Sequence, residues 1–191
     1  MRIWIARCPA VIAVFFGPLL ALALWLMPAS AQTADNPLLD TLFAQLRTAP
    51  DAGTAHAIDQ QIWMEWMSPD DPELMRRMQI ILLKRGSTDL RGAVIDLEAL
   101  VIDYPTYAEA WNQLATIHFM LNDYEASLAD IDKVLQFEPR HFGALVGRAL
   151  IYRSQGKQVL AVKDMAAALA LHPFLVERAL FPELLNDVTR I

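Results

Sequence analysis

Four histidines, one cysteine and 22 acidic residues are the groups from which this 191-residue chain could build a catalytic or metal centre. Their spacing does not build one. A metal site on helices wants ligands one turn apart, or short paired motifs such as H-E-x-x-H. His56, His118, His141 and His172 stand far from one another, and none has a second histidine or acid placed to complete a ligand set. The acids Asp123, Glu125, Asp130 and Asp132 lack the glycine and closing glutamate of a calcium loop. They are read as mostly solvated residues on the outer side of a helix. Seven glycines in the whole chain leave no phosphate-cradling loop, and no serine or threonine stands in a motif with a base. The expectation is no catalytic residue, no metal ligand and no cofactor, with an enzyme ranking third among functional classes.

The first 31 residues have a different job. Arg2 and Arg7 form a basic start, residues 11–26 are apolar apart from Gly17 and Pro18, and Ala29-Ser30-Ala31 follows. This is the layout of a secretory signal peptide, with cleavage expected between Ala31 and Gln32. The alternative is a retained anchor, but sixteen residues fall short of the roughly 20 that a hydrocarbon core demands. Cys8 precedes the apolar run, which argues against a lipoprotein and leaves the mature chain without cysteine. An exported, disulfide-free helical protein fits the periplasm of a Gram-negative bacterium. Residues 1–31 carry two of the 16 basic residues and none of the 22 acidic ones, so their removal takes the net charge from −6 to −8. Such a surface excludes general affinity for nucleic acid or anionic lipid, so no nucleic acid and, after leader removal, no membrane is expected as a partner.

Behind the leader the pattern is helical throughout, and no window alternates apolar and polar residues as a half-buried strand does. Residues 32–37 read as a flexible start. Leu39, Leu42, Phe43 and Leu46 mark one apolar stripe, and Ile58, Ile62, Trp63, Trp66 and Met67 mark the next, with Thr54 as its cap. Together, residues 38–69 make a helical hairpin. Asp71-Pro72-Glu73 opens a third helix, Gly86-Ser87-Thr88 ends it, and a fourth runs to Tyr104-Pro105. Connections of about three to six residues force neighbouring helices to lie antiparallel.

Pro105, Pro139 and Pro173 are each 34 residues apart. The same shift superposes Trp111 on Leu145, Ala115 on Ala149, His118 on Tyr152, Asn122 on Gly156 and Ser127 on Ala161. Backwards, it carries Ser127 to Ala93, Ile131 to Leu97 and Val134 to Leu100. Small residues let the two helices of a pair approach; large ones fill the space between pairs. In this frame His118 lies packed inside a helix pair, His141 and His172 lie in the links where exposed polar residues are routine, and His56 sits near a helix start.

The 34-residue helix–turn–helix with Trp111, Leu114, Ala115, Tyr124 and Pro139, and again Ala149, Tyr152, Gly156, Ala161, Ala168 and Pro173, resembles the tetratricopeptide repeat. Residues 108–141 and 142–175 fit the repeat well. Residues 74–107 are a degenerate copy, with Arg77 in the place of Trp111 and Lys84 in that of His118. The fold expected is all-α: antiparallel helix pairs stacked in a right-handed solenoid, with the N-terminal hairpin capping one end and a helix over residues 176–191 capping the other.

The resemblance also implies a use. First helices line a concave groove that holds a peptide or helix from a protein partner. Met75, Met78, Gln79, Leu82 and Arg85 would face it from the first unit, Asn112, Gln113, Thr116 and Phe119 from the second, and Val146, Leu150 and Arg153 from the third. Methionines and aliphatics suit irregular apolar ligands. Two alternatives stand beside a recruiting scaffold. The N-terminal hairpin can fill part of the groove, making Met75, Met78 and Leu82 plain core, or a second copy can close it in a self-assembling envelope protein.

Overall fold

In a computed structural model of the chain, residues 36–184 are described; the expected leader lies outside them. They form eight α-helices: α1 (Pro37–Arg47), α2 (Ala52–Met67), α3 (Pro72–Gly86), α4 (Leu90–Asp103), α5 (Ala108–Met120), α6 (Tyr124–Phe137), α7 (Phe142–Ser154) and α8 (Gln158–Leu171). Among the described residues there is no strand, and no helix is long and apolar enough to cross a membrane.

Short polar side chains start most of the helices by accepting from otherwise orphaned N–H groups. Asn36 accepts from Leu39 at 3.0 Å ahead of Pro37. Asp51, not Thr54, caps α2, accepting from the Thr54 N–H at 2.8 Å. Asp71 accepts from Glu73 and Leu74 at 2.8 and 2.9 Å. From α4 onward the period is written into the backbone. Helices α4, α6 and α8 begin at residues 90, 124 and 158, and α5 and α7 at residues 108 and 142, so each set steps by 34. The turns of the three pairs place Thr88, Asn122 and Gly156 at φ of 66°, 62° and 71°.

Glycine and asparagine tolerate that left-handed conformation; threonine does not. The β-carbon clash costs about 1–2 kcal/mol, against roughly 0.4–1 kcal/mol for the extra freedom glycine brings to the unfolded chain. Thr88 is exposed, so nothing else is lost by replacing it. Thr88→Gly is therefore expected to stabilise the protein by about 0.5–1 kcal/mol, read as a melting temperature raised by about 1–4 °C. A lowered melting temperature would refute the strain.

Inside the stack, Ala93, Ser127 and Ala161 are almost fully buried at equivalent positions, and the Ser127 hydroxyl is satisfied by donating to the Ala115 carbonyl at 2.8 Å. Each pair also carries a polar bridge across its two helices at an equivalent place. Asp96, Asp130 and Asp164, again 34 apart, meet Lys84 at 2.6 Å, His118 at 2.7 Å and Arg148 at 2.7 Å. In the last pair Tyr152 stands at the His118 position, and Arg148, one turn earlier, takes over. His118 is thus packed and paired, as expected, whereas Asp130 does not face outward. Burial raises its pKa, and the His118 hydrogen bond offsets part of that rise.

Two expectations about the ends are corrected. The hairpin α1–α2 does not cap the first pair. It folds back over the N-terminal end of α7 and reaches α8, sharing one core with both: Phe43, Ile62 and Trp66 pack with Phe142, Val146 and Ala168. The reason is aromatic: Trp66 lies 5.4 Å from Phe142 and Phe43 lies 6.3 Å from it, ring centre to ring centre. The Tyr107 hydroxyl donates to the Trp66 carbonyl at 2.8 Å, and Arg140 bonds Asp40 at 2.5 Å, pinning both helices. At the other end, residues 176–184 are not α-helical. They form two short 3-10 turns, Val176–Leu180 and Pro182–Leu184. Pro182 lacks an N–H and pushes Phe181 out of helical geometry (φ −124°, ψ 72°). Phe181 is driven inward and fully buried, under the Arg153 guanidinium 5.0 Å from its ring.

Candidate binding groove

The twelve residues expected along the groove separate into three groups. Asn112, Thr116 and Phe119 from α5 meet Val146 and Leu150 from α7 around one cleft of about 220 Å³, floored by Ala115, Ala144 and Gly147. The small floor lets a ligand approach the two helices closely. Two arginines are already engaged. Arg85 donates to Gln113, and Arg153 donates to the Leu180 carbonyl, holding the C-terminal segment. Met78, 1% exposed, belongs to the core of the first two pairs with Leu74, Ile81 and Leu97. Met75 and Leu82 are half-buried and Gln79 exposed on α3, away from the cleft.

Beneath the N-terminal half of the groove lies a buried polar cluster. Glu109, Asn112 and Gln113 share one face of α5 by their i, i+3, i+4 spacing, and all are below 10% exposed. Glu109 accepts from Gln113 at 2.5 Å and from Asn112 at 3.2 Å. His141, completely buried, completes the set. Its Nδ1 accepts from the Ala144 N–H at 3.1 Å, which places the proton on Nε2, 3.2 Å from Glu109. One imidazole therefore caps α7 and ties it to α5. The Trp66 ring stacks on that imidazole at 4.2 Å and 8°, so α2 closes this half of the groove. His141 and His172 are both buried, not the exposed link residues expected.

The hairpin thus fills the groove at the N-terminal ends of the first helices and leaves it open along their C-terminal halves. Phe119, 38% exposed, marks the open end, with its ring 5.6 Å from Tyr124. Asn112 is a floor residue held by Glu109 and is not free to meet a ligand; Thr116, whose hydroxyl donates to the Asn112 carbonyl at 2.8 Å, is half-exposed. Among the described residues no cluster of histidines and acids is placed to hold a metal.

A solenoid of helix pairs with a part-filled concave face is the architecture of a helical-repeat binding protein. Over 146 residues the chain is 35% identical to a TPR repeat-containing protein of Rhizobium etli, a match covering 75% of this chain and 71% of that one. The chain belongs to the TPR repeat proteins. It is also 32% identical over 104 residues to sperm-associated antigen 1 of Rattus norvegicus, covering 54% of this chain but 11% of that protein. The crystal structure of MamA aligns with 69% of the chain at 16% identity and a TM-score of 0.49, covering 74% of the MamA chain. No protein-family model matches the sequence.

Proposed function

We propose that this protein is a non-enzymatic scaffold of the periplasm that recruits a protein partner through the open half of its concave groove. The observation that carries the reading is the cleft between α5 and α7, where Thr116, Phe119 and Leu150 surround a floor of small residues that the hairpin leaves uncovered. At about 220 Å³ the cleft is smaller than the roughly 300–1,000 Å³ of small-molecule pockets. It suits an apolar side chain presented by a peptide or helix. The acidic surface adds selectivity against other acidic proteins.

Phe119→Ala combined with Leu150→Ala removes two of the four large apolar side chains that line the cleft, with Ile131 and Val146 left in place, and spares the Glu109 cluster. It is expected to reduce partner recovery from the native host by more than about tenfold, equivalent to at least 1.4 kcal/mol, with the helical circular-dichroism signal unchanged. Undiminished recovery would retire the groove as the binding surface.

Self-assembly is a second reading, favoured by the apolar side chains that α3 and α4 leave in water. Ile80, Leu83, Ile95 and Ile102 are 41–77% exposed on the one pair that the hairpin does not cap. Exposed apolar surface of this kind marks interaction sites.

A further inference from the structure

A second cavity, about 480 Å³, opens between α2, the start of α7 and the segment that follows α8. It shares Gly143 and Val146 with the groove but differs in chemistry. Trp63, Phe142 and Phe174 provide aromatic walls, and Asp59 and Glu177 are the acids that line it. No lysine or arginine does. Asp59 sits one helical turn before Trp63, and its Oδ1 is shut off from water with no hydrogen-bond partner among the described residues. Its nearest basic group, His56 Nδ1, is 3.9 Å from the other oxygen and on an exposed side chain.

A shielded carboxylate oxygen without a partner is costly, and no lysine or arginine lines the cavity to serve as a counter-ion; the basic groups that face Asp59 are the His172 and His56 rings. Burial raises the Asp59 pKa; the His172 ring, the Trp63 indole and the His56 ring each offset part of that rise, and the Glu177 charge adds a smaller increment to it. Burial also lowers the pKa of His172 on the opposite wall, which keeps that ring neutral near pH 7. A cation from outside would relieve the deficit, and aromatic faces attract cations that carry apolar surface. A bare metal ion fits poorly, since no set of three ligating side chains converges among the described residues.

We propose that this cavity binds a small organic cation, a primary or quaternary ammonium group, with Asp59 as its counter-ion and Trp63, Phe142 and Phe174 as its cage. The volume lies within the range of small-molecule sites. The group can belong to a free amine or to a lysine side chain on a partner; both present the same charge to the same walls.

The test is a tryptophan-fluorescence titration of the whole protein, because Trp63 forms part of the wall. Choline, n-butylammonium and N-acetyl-lysine methylamide are added at matched ionic strength, alongside 3,3-dimethylbutan-1-ol, a neutral analogue of choline. Saturable quenching by a cation and none by the alcohol is expected, with affinity falling about tenfold or more in Asp59→Asn. Binding by the free amines alone assigns a small molecule, and binding by the lysine derivative assigns a side chain. Equal responses to choline and the alcohol, no saturation with any cation, or undiminished binding by a folded Asp59→Asn protein would overturn the assignment. The choline-against-alcohol comparison uses the unaltered protein, so a variant that fails to fold leaves the test intact.

Discussion

Trp66→Ala is expected to destabilise the protein by about 3–5 kcal/mol, the range for deleting a large buried aromatic. Trp66 is 8% exposed and touches four other rings: His141, Trp63, Phe142 and Phe43, with centroids between 4.2 and 6.0 Å. Its loss removes the side chain on which hairpin and repeats meet. For a domain of this size the melting temperature should fall by about 10–15 °C, with amide exchange rising first in α1 and α2. Trp66→Phe separates packing from the indole. It keeps a ring over His141 and discards a buried N–H that has no partner among the described residues, so it should cost less than half as much. A fall of under about 1 kcal/mol for the alanine variant would mean that the hairpin is held elsewhere.

Glu109→Ala is expected to cost about 3–5 kcal/mol in urea unfolding, a loss as large as breaking a buried ion pair. The side chain is 1% exposed. Truncation would leave the His141 Nε2–H and the Asn112 and Gln113 amides facing one another in the interior, each at about 1–3 kcal/mol when unsatisfied. Glu109→Gln is the informative partner. Its carbonyl can still accept from His141, and the Asn112 amide can rotate to accept from the new NH₂. That leaves the Gln113 amide as the one opposed donor, its oxygen being held by Arg85, so the cost should drop to about 1–3 kcal/mol. Equal losses in the two variants would show that side-chain volume, not hydrogen bonding, is what the cluster supplies.

These two residues show where sequence reading ran out. The 34-residue step of Pro105, Pro139 and Pro173 reports helix pairs that recur in space, so α5 to α8 were legible as helices. Trp63 and Trp66 were legible as core-facing, because helical spacing tells which face is apolar, and Trp66 is buried while Trp63 is half-buried. It does not tell which distant surface that face will meet, and the hairpin turned out to pack on α7 and α8 instead of α3. Glu109 and His141 lie 32 residues apart in different repeats, and a pattern search within one repeat cannot join them. Part of the signal was present. Glu109, Asn112 and Gln113 follow the i, i+3, i+4 rule of one helical face, and Asp96, Asp130 and Asp164 repeat at the period of the fold.

The groove residues divide for a related reason. A shift of 34 carries Met78 onto Asn112 and Val146, yet these three occupy a stack core, a polar floor and a cleft wall. The repeat fixes the direction of each side chain, while the hairpin decides which remain uncovered.

The claim that the open half of the groove is the working surface is tested most directly by site-specific photo-cross-linking in the native host. A benzophenone side chain replaces Thr116 in the cleft or, as a control, Lys133 on the outer helix α6. One discrete adduct with another protein is expected from position 116, absent from position 133 and lost in the Phe119→Ala, Leu150→Ala background. An adduct with a second copy of this chain would favour self-assembly. No adduct at position 116, or the same adducts from both positions, would rule out the open half of the groove as the working surface.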